Sequence, residues 1–331
     1  MSTAPLLDVE DLHVEFRTRE GVARVVNGVT YRLHVGETLA VLGESGSGKS
    51  VTAQAIMGII DSPPGFVTQG AIRFRGDDLL TMKEDRRREI RGEHISIIFQ
   101  DALSALNPVF TVGWQISEML RIHKGMSRKD AKARTIELMD QVRIPAARER
   151  FGDFPHQFSG GMRQRIMIAM AIALDPEVLI ADEPTTALDV TVQAQIMDLL
   201  KDLQRERDMG LILITHDLGV VADVADRIAV MYAGRIVEDA DVHDIYAAPA
   251  HPYTEALLQS IPRVDQKGQE LRAIKGLPPN LMRIPPGCPY NPRCHRAREV
   301  CREQHPPLYD VAPGRGSRCH FYEEVLSDTQ R

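Results

Sequence analysis

The stretch Gly43-Glu44-Ser45-Gly46-Ser47-Gly48-Lys49-Ser50 leaves this chain few folds to choose from. It follows the apolar run Leu39-Ala40-Val41-Leu42 and precedes Val51, Ala53, Ala55, Ile56 and Met57, whose spacing predicts a helix. Strand, glycine-rich loop and helix in that order form a cradle for phosphates. Gly43, Gly46 and Gly48 permit positive φ and carry no Cβ, so the amides from Gly43 to Val51, including those of Ser45 and Ser47, can turn into one concavity. The helix N-terminus adds partial positive charge. Lys49 is placed to reach the β- and γ-phosphates of a nucleotide, and the Ser50 hydroxyl to ligate Mg²⁺. A flexible Gly/Ser turn ahead of an ordinary helix is the competing reading of the motif alone.

A phosphate cradle needs acidic and polar partners, and apolar strands that end in polar residues supply them. Val178-Leu179-Ile180-Ala181 runs into Asp182-Glu183-Pro184, which puts Asp182 where it can hold Mg²⁺ and Glu183 where it can polarise or deprotonate the attacking water. Ile95 to Phe99 is a β-branched run ending at Gln100, a contact for Mg²⁺ or water, or else a strand-end cap. Leu211 to Thr215 ends at His216, a candidate γ-phosphate contact. Leu6 to Phe16 and Val25 to Leu33 alternate around Arg19-Glu20-Gly21 as an antiparallel pair; Phe16 is either a base-stacking aromatic or a half-buried strand residue. Arg227 to Met231 and Arg235 to Asp239 read as a hairpin.

Residues 101–158 carry two helical patterns, Val112 to His123 and Arg128 to Val142, and no strand, so they form a helical insertion in an α/β core. Its exit, Ser159-Gly160-Gly161, opens another helix with Ser159 as cap. From His251 to Arg331 there are 12 Lys/Arg against 9 Asp/Glu, so this part is +3 and residues 1–250 carry −9 of the net −6. The same part holds 11 of the 20 prolines and all four cysteines, which marks a loop-rich C-terminal module beginning near residue 251. The acidic balance argues against a nucleic-acid partner, and no apolar run reaches membrane-spanning length, so a cytosolic chain is expected.

Cys288, Cys294, Cys301 and Cys319 are separated by five, six and seventeen residues. In a reducing compartment such clustering favours a metal over disulfides, and the absent C-x₂₋₄-C knuckle leaves an iron–sulfur cluster, zinc or unligated thiols as readings.

Taken together, the loop at 43–50, Gln100, Ser159-Gly160-Gly161, Asp182-Glu183, Asp189 in Ala187-Leu188-Asp189, and His216 resemble the ATP-binding cassette (ABC) transporter ATPases over about residues 6–260. Phe158 and Met162 depart from the family's commoner leucine and glutamine around the signature, whose serine and glycines are kept. The resemblance implies a phosphate-loop NTPase core with a mixed sheet, antiparallel at the N-terminus, with the helical subdomain inserted at about 101–158 of a nucleotide-binding domain 1–250 and a metal-binding extension at 251–331. It also implies that ATP lies between the loop of one subunit and Ser159, Gly160 and Gly161 of another, with Asp189 nearby. Phe158 to Arg165, Asp182 to Gln195, and His251-Pro252-Tyr253-Thr254 look like the dipeptide/oligopeptide importer branch, which also serves nickel and other solutes. Resemblance to that branch further implies a second, related ATPase subunit, two transmembrane permease subunits, an extracytoplasmic binding protein, a location at the cytoplasmic face of the membrane, and a [4Fe–4S] cluster on the four cysteines. A soluble cassette ATPase driving a nucleic-acid or cluster-assembly machine is the alternative of another class.

Overall fold

The computed structural model describes residues 4–101, 105–186, 188–260 and 274–329. Ala187 of the expected Ala-Leu-Asp motif lies outside them. Contacts divide the chain into two compact units, one of residues 1–33, 37–80 and 215–331, the other of 34–36 and 81–214. The composition break near residue 251 is therefore not where the contacts divide: the tail belongs to the unit that holds the glycine-rich loop.

The first unit opens with β1 (Leu7–Thr18) and β2 (Gly21–Leu33), paired antiparallel through the turn at Arg19-Glu20. After β3 (Thr38–Leu42) come β4 (Gly65–Phe74) and the short β5 (Asp77–Asp78), giving a four-stranded antiparallel sheet in the order β2-β1-β4-β5. Alternation along β1 buries Leu7, Val9, Leu12 and Val14. β4 runs well ahead of its Ala71-Ile72-Arg73-Phe74 end, through Gly70, a residue that disfavours strands.

In the second unit β6 (Ile95–Ile98), β7 (Val178–Asp182) and β8 (Gly210–Thr215) pair in parallel in the order β6-β7-β8. Their continuous apolar runs are those of strands covered on both faces, and all of β7 and β8 is buried. The inserted helices come where the sequence placed them. Val112–His123 starts at Thr111, whose hydroxyl accepts from the Trp114 amide, and Arg128–Gln141 starts at Ser127, which caps Asp130. Between them the Ser117 and Thr135 hydroxyls meet at 2.9 Å with Thr135 fully buried. Gly113 is required there, since a Cβ would stand 2.4 Å from the Phe151 carbonyl oxygen.

The chain then returns to the first unit as β9 (Arg227–Tyr232) and β10 (Arg235–Asp241). In the tail, β11 (Tyr309–Ala312) and β12 (Arg315–Ser317) extend the same sheet, so that within this unit the order is β11-β12-β10-β9-β3, with β3 and β9 parallel and the other pairs antiparallel. Strands of four and three residues lie below what local pattern reveals; β12 forms on β10, and β11 on β12. A buried ion pair ties this addition down. Arg315 donates to the fully buried Glu238 carboxylate at 3.3 Å and to the Ala248 carbonyl, while the Ala250 amide donates to the same carboxylate at 2.6 Å. Burial first, against the opposing hydrogen bonds and the Arg315 charge, raises the Glu238 pKa to about 7.

Candidate active site

The loop between β3 and the Lys49–Met57 helix turns through three left-handed glycines, at φ +156° (Gly43), +77° (Gly46) and +106° (Gly48). Gly48 forms the helix N-cap, and a Cβ there would stand 2.5 Å from the Val25 carbonyl oxygen; at Gly43 it would stand 2.2 Å from that of Met231. Glycine is thus imposed twice over, by backbone conformation and by close approach. The buried Lys49 folds back so that its Nζ donates to the carbonyls of Gly43 at 2.8 Å and Glu44 at 3.0 Å. Ser47 is buried and Ser45 exposed, while Ser50 and Val51 are half-buried on the first turn of the helix. Phe16, near the end of β1, is half-buried and faces Ala23 and Gly65 across the sheet, which leaves both readings of its role standing.

Two partners of the loop come from the C-terminal part of the chain, where the sequence assigned neither a role at the phosphates. The Tyr253 hydroxyl accepts from the Glu44 amide at 2.9 Å, and Arg293 grips the Glu44 carboxylate with both terminal nitrogens, at 2.5 and 2.9 Å. Glu44 itself was a usable signal, since a carboxylate in a loop that receives anions calls for a cation. The Arg293 guanidinium, held chiefly by this hydrogen bonding, is pushed above its ordinary pKa.

In the second unit Asp182 ends β7, buried at 7% exposure, and Glu183 follows with φ +46°, a conformation rare for a residue with a side chain. Its amide donates to the Ile214 carbonyl at 2.8 Å, which turns the chain sharply at the strand end. Gln100 Nε2 donates to the Glu183 carboxylate at 2.9 Å, and so does the Thr186 hydroxyl, also at 2.9 Å. Gln100 and Glu183, 83 residues apart, are thereby brought together, with Thr186 as a third member that sequence reasoning passed over.

Ser159 caps the Gly160–Ala171 helix through the Met162 amide and is exposed together with Gly160. Gly161 lies against the Val190–Arg207 helix, where a Cβ would meet Val192 at 2.5 Å; Asp189 caps that helix through the Val192 amide at 3.0 Å. Two helix N-termini thus stand side by side, each capped, with backbone amides presented near the glycines. His216, the first residue after β8, is exposed and belongs to the unit of the loop.

The four cysteines line one small pocket with His251, Tyr290 and His320. Burial raises the thiol pKa of Cys288 to about 11 and of Cys319 to about 12, and that of Cys294 upward. Among the described residues no group of three or more His, Cys, Asp or Glu side chains is arranged as a ready metal site. The donor set itself, four thiols around one cavity, is of the kind that soft metals and iron–sulfur clusters take.

Comparison with known proteins agrees with this geometry. The family described as "ABC transporter" matches residues 26–186, and the one described as "Oligopeptide/dipeptide transporter, C-terminal region" matches residues 237–301. The chain is 52% identical to the oligopeptide transport ATP-binding protein OppD of Bacillus subtilis over 308 residues, covering 93% of this chain and 86% of that one. It is 53% identical to the dipeptide transport ATP-binding protein DppD of the same organism, over 91% of this chain and 90% of the relative. To OppD of Salmonella typhimurium it is 50% identical, over 97% and 95%. Among solved structures, the ATP-binding cassette MJ0796 in a dimeric post-hydrolysis state with ADP and Pi matches at TM-score 0.64 and 26% identity, covering 71% of this chain and 98% of that one.

Proposed function

The chain belongs to the ATP-binding cassette transporter family, in its oligopeptide/dipeptide importer branch, and from that we propose how its residues divide the work of an ATPase that drives peptide uptake. It is the ATP-hydrolysing subunit of a peptide importer, and such subunits work with membrane permeases. No helix among the described residues is long and apolar enough to cross a membrane. A position at the cytoplasmic face, reached through the permeases, is our reading.

The observation that carries the site assignment is the glycine-imposed loop with Lys49 gathered onto it. In our reading the amides of 43–51 and Lys49 bind the phosphates, and Phe16 stacks on the base. Ser50, Asp182 and Gln100 offer hard oxygen donors of the kind Mg²⁺ takes beside nucleotide phosphates, which is compatible with the absence of a three-carboxylate group among the described residues. Mg²⁺, when bound, neutralises charge on the β- and γ-phosphates. Glu183 takes the proton of the attacking water, with Gln100 and Thr186 holding its carboxylate in place, and His216 contacts the γ-phosphate.

Ser159, Gly160, Gly161 and Asp189 serve the nucleotide of a partner ATPase, an arrangement supported by the dimeric state of the cassette MJ0796. That partner is a related, different subunit. On the insertion, Val109 is 70% exposed and the exposed Phe110 stacks on Trp114 at 4.2 Å, apolar side chains that we assign to contact with the permease subunits. An extracytoplasmic binding protein would deliver the peptide. The four cysteines would hold a [4Fe–4S] cluster, with Zn²⁺ as the alternative, in an extension at 251–331 beside a nucleotide-binding domain at 1–250.

Purification of the native complex from membranes tests this reading. Co-purification of polytopic permease subunits is the expected result, and recovery of soluble partners alone would refute it. Metal analysis of the same material should find iron that is lost in Cys294→Ser; zinc without iron would select the alternative.

A further inference from the structure

Glu44 is tightly held in the phosphate loop, although it lies between two glycines of that loop. Gly43 precedes it and Gly46 follows, both with φ that side chains seldom adopt. Glu44 is nevertheless fixed at every polar atom it has. Its amide donates to the hydroxyl of the fully buried Tyr253; its carbonyl accepts from the Ser47 amide at 3.2 Å and from Lys49 Nζ at 3.0 Å; its carboxylate accepts the two-pronged grip of Arg293.

Arg293 is itself built in. Its side chain is 4% exposed, its Nε donates to the Lys275 carbonyl at 3.1 Å, and Nη1 also reaches the Tyr232 hydroxyl at 3.4 Å. A planar fork held at its root can restrain a carboxylate in both position and orientation, which a single-point ammonium cannot do. The electrostatics matter as much as the geometry, because a bare carboxylate in a loop that receives a triphosphate would repel its ligand.

We propose that Arg293 is a positioning residue of the nucleotide site: by clamping and neutralising Glu44 it holds the phosphate loop in the conformation, and at the charge, that a nucleoside triphosphate requires. The inference rests on the reading of Gly43–Ser50 as an ATP site and adds to it that the C-terminal tail completes that site from within the same chain. The plainer role, a staple that fixes the tail to the core, predicts different behaviour of paired variants.

Equilibrium binding of Mg·ATP to the full-length chain, with melting curves as a check on folding, decides the matter. Arg293→Gln leaves Glu44 uncompensated and is expected to weaken binding at least about tenfold. Arg293→Lys, which keeps the charge and loses the fork, should fall between it and the wild type. Glu44→Gln/Arg293→Gln removes charge and countercharge together and should recover affinity to within about threefold of the wild type. Wild-type affinity in Arg293→Gln, or a double variant as weak as Arg293→Gln alone, would overturn the proposal. Should Arg293→Gln melt below the assay temperature, Arg293→Lys and the double variant still decide: wild-type affinity in Arg293→Lys refutes the need for the fork, and a double variant more than about tenfold weaker than the wild type refutes the charge compensation. Failure of the wild type to bind Mg·ATP would instead refute the nucleotide reading.

Discussion

At the scale of the residue, Glu183 is the group we propose as the base for the attacking water. Its left-handed backbone, its amide bond to Ile214 and the two donors on its carboxylate, Gln100 and Thr186, place one oxygen group at the end of a buried strand with little freedom to reorient. Glu183→Gln preserves shape and one acceptor while removing the base. Nucleotide affinity should be retained and steady-state hydrolysis should fall about 10²–10⁴-fold; hydrolysis at the wild-type rate would remove Glu183 from the role. The place of this residue just past a buried strand was readable in the sequence from the apolar run that delivers it. Its two tethers were not, since Gln100 comes 83 residues earlier and Thr186 looks like an ordinary turn threonine.

Helices and strands reveal a second kind of constraint in the Pro252–Gln259 helix. Its cap is the buried His251, whose Nδ1 accepts from the Tyr253 amide at 3.0 Å, and that hydroxyl-bearing tyrosine is the one bonded to Glu44. A protonated ring has no acceptor to offer, and burial drives the His251 pKa down to about 3. A group whose folded pKa is depressed stabilises fully above its unfolded value, near 6.5, and loses that contribution as pH falls towards 3. Each pH unit in that window costs about 1.4 kcal/mol, so from pH 6.5 to 5 the loss is about 2 kcal/mol. Glu238, with its raised pKa, acts in the opposite sense and gains stability as pH falls below about 7, which flattens the wild-type profile. His251→Asn keeps a capping oxygen and does not titrate. Relative to the wild type it should gain about 2 kcal/mol between pH 6.5 and 5 in denaturant unfolding, and parallel profiles for the two proteins would contradict the assignment.

The elements themselves were legible to different degrees for physical reasons. Val112–His123 and Arg128–Gln141 announce themselves through caps at Thr111 and Ser127, and β7 and β8 through uninterrupted apolar runs. The tail strands β11 and β12 are too short to carry a local signature; β12 is stabilised by pairing with β10, far back in the chain, and β11 by pairing with β12.

For the whole molecule, the lesson lies in how contacts divide the chain. Composition separates residues 1–250 from the rest, yet the tail shares its unit with the glycine-rich loop through β12, the Arg315–Glu238 pair and the Arg293–Glu44 pair. Composition records what a segment is made of and is blind to where a residue 249 positions later will dock. Arg315→Met tests one of these ties. Glu238 is entirely buried, so losing its cation should cost about 3–5 kcal/mol when the carboxylate is ionised. Because the raised pKa lies near 7, protonation relieves that cost as pH falls: the drop in melting temperature should be larger at pH 8 than at pH 6. An equal drop at both values would mean that Glu238 is not the group left exposed to the loss.

The Arg293–Glu44 pair also has a meaning in time. A ribosome that has just added Glu44 has 249 more residues to add, the last of them the arginine that clamps it, a lag of roughly 10–50 s at about 5–20 residues per second. Throughout that interval the nascent chain carries a nucleotide loop with an uncompensated carboxylate, and every prematurely terminated or clipped product keeps it in that state for good. If Arg293 plays the role proposed for it, full affinity for ATP thus arrives late, only once synthesis has reached the tail.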